Sequence, residues 1–241
     1  MQEKHFQSHK MAPLPNTLDE KTTFLAHHEL FQQLNPTELS HLASLTTTVS
    51  YPPGRILLRP GDPGLTFFLL SSGSIQLYAL STDGRKLILA TLTTGACLGE
   101  LAFTTAQTQQ CFAETIAETV LYTLTRADMA ALLQRNSTIS QALLQIISQR
   151  LAQRESQLIN TTFKSTTARL SILLLELAHQ QSASAIHGLS HEELADRLGV
   201  YRETVSTALR ELKEAGAIAL GRKHITICAP ELLQQLAGQT K

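Results

Sequence analysis

The period of the apolar positions changes along the chain. Between residues 28 and 45, Leu30, Phe31, Leu34, Leu39, Leu42 and Leu45 recur at helical spacing, and Asn35-Pro36 divides them into two short helices. From 46 to 124 the texture becomes β-rich: VSY, RILLR, TFFLL, IQLYAL, RKLILATL and ETIAETVLYTL are parted by PPG, PGDPG, SSGS, STDG and TTG. Short strands at regular spacing predict an all-β barrel or sandwich, and Asp83-Gly84 between two alternating runs predicts a tight hairpin. Residues 137–163 return to helical period. Leu144, Ile147, Leu151, Arg154, Leu158 and Thr161 follow spacings of three and four, a coiled-coil seam that Arg154 interrupts. A second row, Ile139, Leu143 and Ile146, can pack back on the strands. A single amphipathic core helix is the plainer alternative; two apolar rows on so long a helix favour pairing.

Residues 164–166 read as a hinge, after which Leu170, Leu173, Leu174 and Leu177 form one helix face. The stretch LSHEELADRLGVYRETVSTALRELK, residues 189–213, then reads as two short helices around a tight turn. Ser190 and Glu193 make a capping box. Leu194, Ala195 and Leu198 form an apolar stripe, and Gly199 supplies the left-handed residue that ends the helix. In the next helix, 201–212, Val205, Leu209 and Leu212 share one side. Glu203, Ser206, Thr207 and Arg210 take the other, with Arg202 on its flank. Arginine suits guanine or phosphate, glutamate a cytosine amino group, and serine or threonine either base edges or phosphates. The pattern is that of a helix-turn-helix with 201–212 as recognition helix. An ordinary helical hairpin with a solvated charged face is the alternative. Further on, the runs AIAL and HITIC flank Gly221-Arg222-Lys223, a β-hairpin or wing whose basic tip can meet phosphates; a short last helix spans 230–236.

Composition narrows the partners. The chain has 241 residues, 43% of them apolar, enough for one large or two small domains with real cores. Net charge is zero, so affinity for a polyanion must come from a local patch. Three scattered cysteines make neither a disulfide framework nor a paired zinc spacing, which fits a reducing cytoplasm. The first residues lack a signal-like apolar core, and no run of about 18 apolar residues is long enough to span a membrane. Residues 1–27 read as a polar, mostly disordered arm, and His5, His9, His27 and His28 as solvated rather than metal-binding. No serine–histidine–aspartate order, phosphate-binding glycine loop or metal cluster suggests an enzyme; His191 beside Glu192 and Glu193 reads as a first-turn helix feature.

The β-rich segment resembles the cyclic-nucleotide-binding β-roll through Pro53-Gly54, Gly61-Asp62, Phe68-Leu69-Leu70-x-x-Gly73-x-Ile75, Gly95 and Gly99-Glu100-Leu101-Ala102. With the helix-turn-helix downstream, the chain resembles a CRP/FNR-type transcription regulator from about His28 to Ala237. The resemblance implies an α+β architecture. An N-terminal β-roll (jelly-roll-like) sensor domain spans 28–136, a central dimerisation helix and hinge 137–164, and a C-terminal winged helix-turn-helix 165–241. It also implies a homodimer on an inverted repeat of double-stranded DNA, with RNA polymerase as a further partner. At the family's reading positions stand Arg202, Glu203 and Thr207. Cyclic-AMP-type members carry arginine at the last, and Ser206 is similar to the oxygen-sensor type, so neither family half-site is expected unchanged. Arg202 and Glu203 are expected at bases, Arg210, Arg222 and Lys223 at phosphates.

The effector pocket departs from the family pattern. Gly99-Glu100-Leu101 is kept, but the arginine–serine pair that holds the cyclic phosphate in cyclic-AMP-binding members falls on Cys111-Phe112. No basic residue occurs between Leu101 and Tyr122, so a cyclic phosphate would meet no fixed cation from that strand. On the central helix the family's threonine–serine positions fall near Arg154-Glu155. Arg154 could supply a cation instead, and Arg150, Gln153 and Glu155 resemble the nitrogen-control regulators, whose pocket strand nevertheless carries an arginine where this chain has Cys111. A hydrophobic effector, or none with Phe112 filling the pocket, stays open, and the effector is unknown. No cofactor is expected. An iron–sulfur cluster would need four cysteines; haem or redox sensing would have to use Cys97 or Cys111, against the commoner use of cysteine as a small apolar filler. A sensor acting only through protein partners is the remaining alternative.

Overall fold

The computed structural model of this chain describes residues 18–99, 108–181, 185–221 and 224–239. The chain divides into two compact units, 1–77 with 90–145, and 78–89 with 146–241.

The first unit begins with α1 (Leu18–His27) and α2 (Pro36–Leu45). Asn35 caps α2 in a reciprocal box. Its side chain accepts the Glu38 amide at 2.9 Å, and the Glu38 carboxylate accepts the Asn35 amide at 2.9 Å. The strands are β1 (Thr47–Tyr51), β2 (Ile56–Leu58), β3 (Thr66–Ser72), β4 (Ser74–Leu80), β5 (Lys86–Thr93), β6 (Cys97–Leu98), β7 (Phe112–Thr115) and β8 (Thr119–Thr125). They form two four-stranded sheets, ordered β1-β8-β3-β6 and β2-β7-β4-β5. Phe68, Leu70, Ile75, Leu98, Ala113 and Leu121 make a shared core. β3 is buried on both faces, which explains its unbroken apolar run FFLL.

Four local expectations change. The arm expected to be disordered through residue 27 is helical from Leu18, because Leu25 is fully buried and Phe24 sets its edge on Tyr122 at 5.2 Å between ring centroids. The first 17 residues lie outside those described. Residues 28–34 form successive turns rather than a helix, with Phe31 and Gln32 both donating to the His28 carbonyl. His28 is buried rather than solvated. The run ETIAETVLYTL is two strands, since Thr119 Oγ1 donates to the Ala117 carbonyl at 2.8 Å and turns the chain between β7 and β8.

Helix α3 (Arg126–Arg135), capped by Thr125, leads to α4 (Ser137–Phe163). Along α4, Ile139, Leu143 and Ile146 are buried, whereas Leu144, Ile147, Leu151 and Leu158 are 63%, 38%, 58% and 67% exposed. The two rows expected from spacing are therefore distinct in their surroundings.

The second unit holds α5 (Thr166–Gln181), β9 (Ala185–His187), α6 (His191–Leu198), α7 (Arg202–Glu214), β10 (Ile218–Gly221), β11 (His224–Ile227) and α8 (Pro230–Ala237). The strands form one sheet in the order β10-β11-β9. Leu170, Leu174, Leu194, Val205, Leu209 and Leu212 meet in its core with Ile186 and Ile225 from the sheet. The tip of the β4–β5 hairpin is part of this unit.

Candidate nucleic-acid interface

The α6–α7 pair is built by local rules. Ser190 Oγ accepts the Glu193 amide at 3.1 Å, and the Glu193 carboxylate accepts the Ser190 amide at 2.7 Å. Gly199 ends α6 at φ 65° and ψ 37°, the left-handed region where a Cβ is strained. The Arg169 guanidinium, from α5, donates to the Leu198 carbonyl. Burial lowers the pKa of Arg169 from its usual value.

α7 then presents two unlike sides. Val205, Ala208, Leu209 and Leu212 are buried; Arg202, Glu203, Thr207 and Arg210 are exposed, and Ser206 is half-buried on the flank nearest α6. The side that carries base- and phosphate-reading chemistry faces outward because the opposite stripe has the core to fill. Arg222 and Lys223 lie outside the described residues; β10 and β11 pair as an antiparallel hairpin from Ile218↔Ile227 to Gly221↔His224. β9 joins this wing as a third strand, with His187 opposite His224.

Two contacts at this face are not evident from the sequence. His191 Nδ1 lies 2.9 Å from Ser206 Oγ. Tyr201, the N-cap of α7, makes no side-chain cap bond. Its hydroxyl instead donates to Asp83 Oδ2 at 2.9 Å, while the Arg85 guanidinium lies over its ring at 4.7 Å and pairs with Asp83 at 2.9 Å. A side chain at Gly199 would come within 2.8 Å of Leu87 Cδ1. The β4–β5 tip thus buttresses the turn before α7. A sequence separation of 118 residues leaves no local signal for the Asp83–Tyr201 bond.

The Asp83 carboxyl is held at about 2 by hydrogen bonds from Ser81 first, then Tyr201 and Arg85. A carboxylate with a depressed pKa stabilises the folded form above its unfolded value and ceases to as pH falls through the folded one. This contribution therefore survives at neutral pH and is lost between about pH 4 and pH 2. Tyr201→Phe is expected to raise the Asp83 pKa part of the way to its ordinary value, leaving the Ser81 and Arg85 contributions. NMR titration of the side-chain carboxyl reads the shift; an unchanged midpoint would show that the phenol contributes nothing.

The expected effector residues are less gathered. Gly99 adopts φ 95°, and a Cβ there would run into the Thr66 carbonyl, so the turn needs glycine. Glu100 and Leu101 lie outside the described residues. Cys111 and Phe112 are half-buried, and in β7 it is Ala113, not Phe112, that enters the core. Arg154 donates to the Leu89 carbonyl at 2.7 Å and to Gln157 Oε1 at 2.9 Å; Glu155 is exposed. The arginine expected as a pocket cation is thus engaged by the backbone of β5. Cys97 is buried, Cys111 half-buried and Cys228 exposed; none forms a disulfide among the described residues, and no cluster of metal-ligating side chains occurs among them. No helix among the described residues is long and apolar enough to cross a membrane.

Residues 48–136 match the cyclic nucleotide-binding domain family, and residues 168–236 the Crp-like helix-turn-helix domain. The chain belongs to the CRP/FNR family of transcription regulators. Among curated CRP/FNR relatives, the cyclic AMP receptor protein of Thermus thermophilus is 29% identical over 208 residues, 86% of this chain and 96% of its own. The global nitrogen regulator of Synechococcus elongatus is 28% identical over 190 residues, 76% of this chain and 86% of its own. A solved CRP/FNR-family transcriptional regulator from Thermus thermophilus superposes with a TM-score of 0.63 at 28% identity, covering 81% of this chain and 100% of its own. As a CRP/FNR regulator, the chain is a transcription factor and not an enzyme, and its helix-turn-helix is the DNA-binding element of the family.

Proposed function

We propose that this CRP/FNR regulator acts as a homodimer that reads an inverted repeat through α7 and responds to an effector other than cyclic AMP held in the usual way, or to none. One observation supports the DNA reading above the rest. α7 turns Arg202, Glu203, Thr207 and Arg210 to solvent while Val205 and Leu209 are fully buried. Arg202 and Glu203 read bases, and Ser206 and Thr207 flank them. Arg210, with Arg222 and Lys223 of the wing, meets phosphates. The two copies pair through Leu144, Ile147, Leu151 and Leu158, and the family implies RNA polymerase as the downstream partner.

Competition binding on a selected operator tests the assignment. Glu203→Ala is expected to lose about 1–3 kcal/mol of discrimination at one base pair. Lys223→Ala is expected to weaken all sequences alike and to flatten the dependence on salt. Equal effects of both variants on specific and random DNA would contradict it.

The effector reading rests on charge. The Thermus relative bears the name of cyclic AMP. This chain places Cys111-Phe112 at the expected phosphate position, with no basic residue between Leu101 and Tyr122. Calorimetric titration with cyclic AMP is expected to show no micromolar binding; a micromolar dissociation constant would overturn the reading. The alternative haem or redox use of Cys111 or Cys97 predicts a Soret band or a reversible thiol change in protein from its host.

A further inference from the structure

Resting on the proposal that α7 reads DNA, we infer that His191 is a positioning residue that sets which bases Ser206 accepts. Hydrogen-bonding capacity decides the matter. A serine hydroxyl has one proton and two acceptor positions. Ser206 Oγ donates back along α7 to the Arg202 carbonyl at 3.0 Å, and a carbonyl can only accept. The same oxygen lies 2.9 Å from His191 Nδ1. With the hydroxyl proton committed to Arg202, that contact is a hydrogen bond only if Nδ1 carries the proton and donates. Both bonds are satisfied by this one arrangement, and it leaves Ser206 a single unused valence, an acceptor.

That restricts its target. Phosphate oxygens are acceptors, so Ser206 held in this way cannot bond them. On base edges in the major groove the donors are the exocyclic amino groups, N6 of adenine and N4 of cytosine; guanine and thymine offer acceptors at the corresponding positions. A freely rotating serine suits either kind. Every base pair carries one such amino group, so a serine fixed by His191 discriminates by strand: at one position of the half-site it favours A·T and C·G, which put the amino group on the strand it meets, over T·A and G·C. His191 opens α6, so α6 takes part in reading without itself touching the base.

The test starts from the operator that the full-length wild-type chain selects from random duplexes. Each base pair of one half-site is varied and the competition constant measured for wild type, Ser206→Ala, His191→Phe and the double variant. Phenylalanine keeps a planar ring and removes the N–H. Wild type is expected, at one position, to favour both A·T and C·G over both T·A and G·C, all read on the same strand, by roughly five- to tenfold. Ser206→Ala and His191→Phe should each abolish that preference, and the double variant no more than either. In His191→Phe, affinity for random DNA and its salt dependence should not change. Retention of the preference in His191→Phe, or uniform weakening on all sequences, would overturn the inference and show a backbone or packing role. If His191→Phe folds poorly, Ser206→Ala alone, which suits a helix, still decides: the position it relaxes must favour the two pairs that put the amino group on one strand, A·T and C·G, over the two that put it on the other. Failure of wild type to select any sequence would sink the DNA reading itself, and this inference with it.

Discussion

Replacing Leu151 and Leu158 together by glutamate is expected to turn the proposed dimer into monomers and to lower affinity for a two-half-site operator by about 10²- to 10⁴-fold. The loss follows from geometry rather than from any DNA contact. Both leucines stand on the exposed row of α4, at 58% and 67% exposure, with Leu144 and Ile147 in the same row. A continuous apolar stripe at coiled-coil spacing on a lone helix is a surface that needs a partner. Burying each leucine contributes roughly 1.5–3 kcal/mol, and paired carboxylates would add repulsion. Neither side chain enters the core of either unit, so melting of the sensor strands should be unchanged. Light scattering gives the mass and fluorescence anisotropy the affinity. A variant that stays dimeric with wild-type affinity would place the dimer contact elsewhere.

The second large effect is on stability. His28 is buried against Phe24 and Phe31, with ring centroids at 5.8 Å and 5.5 Å. The Leu30 amide donates to its Nδ1 at 3.2 Å, which leaves the proton on Nε2, and Nε2 has no full hydrogen bond in the structure. Burial therefore lowers its pKa from 6.5 to about 4, with the nearby Gly95 carbonyl opposing the shift only in part. Below pH 6.5 the unfolded chain gains a proton that the folded chain refuses, so this contribution is complete above pH 6.5 and is lost as pH falls towards 4. The loss across that window is roughly 3 kcal/mol. His28→Asn keeps an acceptor for the Leu30 amide and cannot titrate. The difference in stability between wild type and this variant should change by that amount between pH 7 and pH 4, read from amide exchange in β3 and β8. A difference independent of pH would mean that His28 is solvated when folded.

The parts legible in the sequence were those written in short-range chemistry. Ser190 and Glu193 announce the start of α6 and Gly199 its end, because a capping box and a left-handed cap need only neighbouring residues. The exposed apolar row of α4 is legible for a similar reason, since spacing alone sets the face. Helix α1 was hidden because Leu18 at its start is exposed and only the adjacent Phe24 and Leu25 turn inward, Phe24 against Tyr122 of a distant strand. β6 and β9, at two and three residues, are too short to show a period. His28 reads as one polar residue among many until the fold closes over it. On α7 the exposed and buried sides followed from the helical period. The partners of its side chains, His191 for Ser206 and Asp83 for Tyr201, come from other elements and follow from tertiary packing. The expected effector residues are the least legible, because the sequence signal there is an absence: no lysine or arginine between Leu101 and Tyr122.

Selection of bound duplexes from a random pool by the full-length chain tests the central claim most directly. Enrichment of an inverted repeat, with half-site centres about 10 base pairs apart or a multiple of that, is the result predicted for two α7 helices entering successive major grooves. A pool that stays random, or converges on a site with no repeated half, would contradict it.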